Sequence, residues 1–234
     1  MLKQEIDLLA KKESYTFDDL LAITRILRSE EGCPWDREQD HHSIRASMIE
    51  ETYEVVEAID NDDTTLLREE LGDALFQVVF HAQIEQEKAS FGMGEVVDDI
   101  CKKMIHRHPH VFGEVRADTS DAVLKNWEAI KTEEKQRITL SDKLRAIPPM
   151  LPALMRASKV SKKADRTENR TEQSLIDSLI ARLTSLGSSS KETAQEEIGM
   201  LLFEMVDLSR VLGVDAELAL SAKIDAFIDE IANK

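Results

Sequence analysis

An eleven-residue stretch, EELGDALFQVV at 69–79, returns as EEIGMLLFEMV at 196–206, 127 positions further along the chain. The same spacing lays SMIEETYEVVEAI (47–59) over SLIDSLIARLTSL (174–186). Apolar residues persist through the comparison: Met48 and Leu175, Ile49 and Ile176, Val56 and Leu183, Leu71 and Ile198, Leu75 and Leu202, Phe76 and Phe203. Self-similarity of this kind predicts one supersecondary unit used twice, each copy burying the same stripe. Helical periodicity dominates both copies. Eight glycines and five prolines in 234 residues are too few turn formers for a sandwich or barrel.

The expected fold class is therefore all-α. The spacing predicts helices over 16–30, 43–60, 64–88, 93–107 and 120–136, then over 153–164, 172–186, 191–211 and 215–232. Asp63 or Thr64 caps the third of these. EEGCPWD (30–36) reads as a turn and RHPHVFGEVRADTS (107–120) as a loop. IPPMLP (147–152) holds three of the five prolines and marks the boundary. The expected organisation is a first domain over 1–138, a proline-containing linker over 139–152 and a second unit over 153–234.

The two copies differ in their acids. Glu51 becomes Ser178, Glu54 becomes Ala181 and Asp73 becomes Met200, whereas Glu70 keeps a counterpart in Glu197. Packing alone does not require the lost carboxylates. At about 100° per residue, Glu51 and Glu54 fall on one helix face, as do Glu70 and Asp73, with Gln77 and His81 continuing the second stripe. Every other face of 71–82 carries Leu, Ala, Phe or Val, which predicts a central, buried helix. A hairpin closed through 61–63 would bring four carboxylates together. Ionised carboxylates at one partly buried place repel, so they take up protons or share a cation. Hard oxygen donors without cysteine suit Mg²⁺ or Mn²⁺, and such an ion leaves positions for substrate phosphates.

Other features narrow the class. A net charge of −16 argues against a nucleic-acid binder with a broad basic face. No apolar run approaches the ~20 residues needed to span a bilayer, so no membrane partner is expected. The N-terminus lacks a signal-peptide core, and Cys33 and Cys101 suit a reducing compartment. The expected location is cytoplasmic. His106, His108 and His110 alternate across a proline, a poor arrangement for tetrahedral zinc. Lys103 and Arg107 sit at i,i+4 and can offer two cations to a polyphosphate, and Trp127 can stack on a base.

The acidic pairs, together with GCPWD (32–36), RHPHVF (107–112) and NWEAIK (126–131), resemble the MazG family of nucleoside triphosphate pyrophosphohydrolases, within the all-α NTP pyrophosphatase superfamily. LPALMRASK (151–159) continues the likeness into the second unit. The resemblance implies hydrolysis of a nucleoside triphosphate to the monophosphate and pyrophosphate. It implies Mg²⁺, with Mn²⁺ as a substitute, on Glu51, Glu54, Glu70 and Asp73. It gives Glu50 the task of orienting or deprotonating water, sets Lys103 and Arg107 against phosphates, and closes Trp127 and Lys131 over the nucleotide. Members are typically homodimers. The second copy departs from the family: three of its four ligands are gone, Phe227 stands where the first copy has Arg107, and no Trp-x-x-x-Lys follows. The chemistry is expected in the first copy, with a degenerate second copy supporting folding or dimerisation. A non-catalytic nucleotide-sensing or protein-interaction regulator is the alternative, and the motifs retained in the first copy argue against it.

Overall fold

The computed structural model describes residues 2–117, 119–134, 139–187 and 191–232, and among these residues no strand occurs. The chain divides into two compact units, Met1–Val123 and Leu124–Lys234.

The first unit contains α1 (Leu2–Leu9), α2 (Phe17–Leu27), α3 (Pro34–Glu38), α4 (Arg45–Asp60), α5 (Thr64–Glu87), α6 (Met93–Arg107) and α7 (Pro109–Phe112). Helix α5 is its axis, with α4, α2 and α6 packed against it. Local sequence explains the starts. Thr16 and Asp19 form a reciprocal capping box on α2, with Thr16 N–H donating to Asp19 Oδ2 at 2.8 Å and Asp19 N–H to Thr16 Oγ1 at 3.3 Å. Asp63, one of the two expected caps, accepts from the amides of Thr65 and Leu66 at 2.9 and 3.0 Å. The α4–α5 connection is only three residues long because Asp62 takes a left-handed φ of +53°, which aspartate tolerates better than most residues.

The core forms where Ile44, Phe80 and Ile84 meet, with Phe76 packed on them and edge-on to Phe80. Residues 28–44 are pinned to this core by Arg28. Its guanidinium donates to Glu87 at 2.9 and 2.8 Å and to the carbonyls of Asp36 and Gln39 at 2.6 and 3.0 Å, and lies 5.0 Å from the Phe80 ring centroid. Gly32 is obligatory here: a Cβ would come within 2.1 Å of the Ile26 carbonyl oxygen.

The second unit holds α9 (Leu140–Arg145), α10 (Ala153–Lys163), α11 (Glu172–Leu186), α12 (Lys191–Val211) and α13 (Ala216–Ala232). The α11–α12 hairpin repeats α4–α5 at the spacing of the sequence repeat, with α10 and α13 packed on α12. Helix α8 (Ser120–Glu134) crosses the division between the units, which therefore falls upstream of the proline-containing segment 139–152. That segment includes α9, packed on α10.

All nine helices expected from periodicity are present, and α1, α3, α7 and α9 are additional. Two of these sit where a turn and a loop were expected. Pro34 and Pro109 each occupy a first helical turn, where the fixed φ favours helix and the missing N–H costs nothing. The expectation for 71–82 needs a correction. Val79, Phe80, Ala82 and Ile84 are buried, but Leu71 and Leu75 are exposed. The buried apolar residues of α5 thus all lie in its C-terminal half, where Ile44 and Arg28 pack against it.

Candidate metal centre

The α4–α5 hairpin turns the acid pairs of its two helices toward each other. One carboxylate oxygen from each of Glu51, Glu70 and Asp73 lies within 4.8 Å of the other two. Glu54 adjoins them, since it shares a hydrogen bond with Glu51 and its charge acts on both Glu51 and Glu70. Glu70, 9% exposed, is the buried member.

The acids resist ionisation. Glu51 is pushed above its ordinary range by burial first, then by the charges of Asp73, Glu54 and Glu50. Glu70 is pushed up by burial, then by Glu54, Asp73, Glu69 and Glu51. Among the described residues no lysine or arginine pairs with Glu51, Glu70 or Asp73. A converged set of oxygen donors, destabilised by its own charge and lacking a side-chain cation, fits a hard divalent ion.

The remaining candidates are spread more widely. Glu50 is exposed beside the cluster, lining a surface groove of about 450 Å³ with Glu54, Tyr53 and Ile49. Lys103 is exposed on α6 and lines a groove of about 630 Å³ with Val78, Phe91 and Ile100. Arg107, one turn further, is 7% exposed and held within the fold. Helical spacing gives no hint of that burial. On α8 the Lys131 amine lies 5.2 Å from the Trp127 ring centroid. In the second unit Phe227 is exposed on α13.

One polar pairing on α5 was not expected. His81 continues the stripe of Glu70, Asp73 and Gln77, and its Nδ1 lies 2.7 Å from His41 Nδ1, while His41 Nε2 lies 2.6 Å from Glu85. His41 and His81 are forty positions apart, so no local pattern could pair them.

An all-helical chain with a carboxylate centre between two hairpin helices is the class that fold and site define. A sequence model described as the MazG nucleotide pyrophosphohydrolase domain matches residues 39–112. The nucleoside triphosphate pyrophosphohydrolase/pyrophosphatase MazG of Thermotoga maritima is 39% identical over 222 residues, covering 94% of this chain and 85% of the relative. The nucleoside triphosphate pyrophosphohydrolase of Escherichia coli K12 is 41% identical, covering 90% of this chain and 83% of the relative. An uncharacterised Bacillus subtilis protein, YabN, is 44% identical over 91% of this chain and 45% of its own length. The chain belongs to the MazG family. The matched domain includes every acid of the cluster together with Lys103 and Arg107, and ends before Trp127 and Lys131.

Proposed function

We propose that this chain is a Mg²⁺-dependent nucleoside triphosphate pyrophosphohydrolase, converting a nucleoside triphosphate and water to the monophosphate and pyrophosphate. The observation that carries this reading is the convergence of Glu51, Glu70 and Asp73 within 4.8 Å, with no lysine or arginine paired to them among the described residues. Family membership and the names of the relatives support the activity.

Glu51, Glu54, Glu70 and Asp73 are the proposed ligands, and Mn²⁺ is a substitute of the same donor preference. An ion held there supplies positive charge to a triphosphate and makes water a better nucleophile. Glu50, exposed beside the ligands, orients the attacking water or takes its proton. Lys103 meets a phosphate from α6, and Arg107 stiffens that turn or reaches the same phosphates. Trp127 and Lys131 close over the base and polyphosphate. A cytoplasmic setting agrees with two free cysteines, and no described helix is long and apolar enough to cross a membrane.

A homodimer is part of the proposal. Tyr53, Leu71 and Leu75 are exposed in the first unit, and Ile180, Ile198 and Leu202 occupy the matching exposed positions in the second. A repeated apolar face suits a second copy better than water.

The test is incubation with each nucleoside triphosphate and Mg²⁺, resolving monophosphate, diphosphate, phosphate and pyrophosphate. Equimolar monophosphate and pyrophosphate are expected. Diphosphate with free phosphate would replace this reading by a phosphatase, and no turnover would remove the enzyme.

A further inference from the structure

We propose that Arg182 is a built-in counter-ion of the second unit, its guanidinium bridging Glu197 and Glu204 where the first unit leaves its acids to a bound cation. The assignment begins with position. The helices α11 and α12 start at the positions of α4 and α5 shifted by the repeat spacing. Glu197 stands for Glu70, Ser178 for Glu51 and Met200 for Asp73, while Arg182 replaces Val55 and Glu204 replaces Gln77.

The contacts follow. Arg182 Nη1 donates to Glu197 Oε2 at 3.1 Å, and its Nε lies 3.1 Å from Glu204 Oε2. Ser178 Oγ, at the position of the lost ligand, is 3.1 Å from both Glu204 oxygens. Glu204 is 4% exposed, and a carboxylate that far from water is costly unless paired. Arg170 adds a second guanidinium 4.0 Å from Glu204 and 3.8 Å from the buried Asp207, which Arg166 also pairs at 3.1 Å. Three carboxylates thus face three arginines. Glu51, Glu70 and Asp73 of the first unit have no such partners among the described residues.

Geometry also sets the consequence. A guanidinium on a fixed stem cannot dissociate, and Glu204 and then Glu197 hold it charged more firmly than usual. Glu197, Glu204 and Asp207 are therefore balanced in charge by Arg182, Arg170 and Arg166 without metal. Divalent-ion dependence is confined to the first unit.

Because the assignment rests on reading the first cluster as a cation site, two separate experiments test it, both on the full chain. The first is thermal melting without metal. Arg182→Met should lower the melting temperature by about 5–10 °C, as loss of one partner of a buried pair does. Arg182→Met combined with Glu197→Gln and Glu204→Gln should recover most of that loss, because removing the acids removes the need for the cation. A triple variant no more stable than Arg182→Met means the arginine only packs, and the proposal fails. The second is Mn²⁺ titration followed by electron paramagnetic resonance, in a chain silenced at the first site by Glu70→Gln and Asp73→Asn. Restoring Ser178→Glu and Met200→Asp should create a site only when Arg182→Val is also present. Binding with Arg182 retained, or in neither variant, overturns the assignment. Mn²⁺ titration of the unaltered chain reports on the first cluster independently.

Discussion

Glu70 shows how one residue can serve function against stability. Its carboxylate is buried and surrounded by like charges, so it holds a proton more readily folded than unfolded. The sign follows. As pH rises from its ordinary 4.5, the unfolded chain releases this proton first, and the metal-free native state loses stability. Glu51 acts in the same direction. Glu70→Gln should therefore melt above the parent chain in metal-free buffer at pH 7, with the difference closing toward pH 4. Saturating Mn²⁺ should raise the parent and not the variant, and turnover by the variant should fall to background. Calorimetric melts across pH, with and without metal, check all three. A variant less stable than its parent at pH 7 would make Glu70 a structural residue.

At the scale of elements, the two hairpins end their long helices in the same way. Helix α5 closes with Ala89 N–H donating to Gln86 and Ser90 N–H to Glu85, and α12 with Gly213 N–H donating to Arg210 and Val214 N–H to Ser209. Both are Schellman caps, which require a left-handed residue. The second unit supplies Gly213 at φ +71°, whereas the first places Ala89 at φ +54°. A Cβ there costs about 1–2 kcal/mol, and glycine returns part of that as added freedom in the unfolded chain. Ala89→Gly should stabilise the first unit by about 0.5–1 kcal/mol, measured by denaturant unfolding. Activity should be unchanged, since the cap lies at the far end of α5 from Glu70 and Asp73.

The whole molecule carries a net charge of −16 and exposes matching apolar positions in both units. Leu71 and Leu75 lie on α5 beside the acids, and Ile198 and Leu202 repeat them on α12. Placing charge at these positions should separate the copies. Light scattering coupled to gel filtration should find a dimer, and Leu75→Asp with Leu202→Asp should give a folded monomer, judged by unchanged circular dichroism. A monomeric parent chain would remove the second copy from the proposal and leave the face open to another partner.

The sequence by itself determined the helices that carry the acids and the face on which each acid lies. Both are local: apolar spacing sets the helix, and i,i+3 spacing sets the face. Asp63, two prolines at helix starts and the repeat of 69–79 at 196–206 act through neighbours in the chain. Tertiary structure decided what those faces meet. It paired Arg28 with Glu87 across 59 positions and His41 with His81 across 40. It buried Arg107 while leaving Lys103 exposed on the same helix. It also set Arg182 between Glu197 and Glu204, turning a copy that looks merely depleted in acids into one whose buried acid is paired with arginine. Such pairings depend on how one helix packs against another, and no window of sequence contains both partners of a long-range contact.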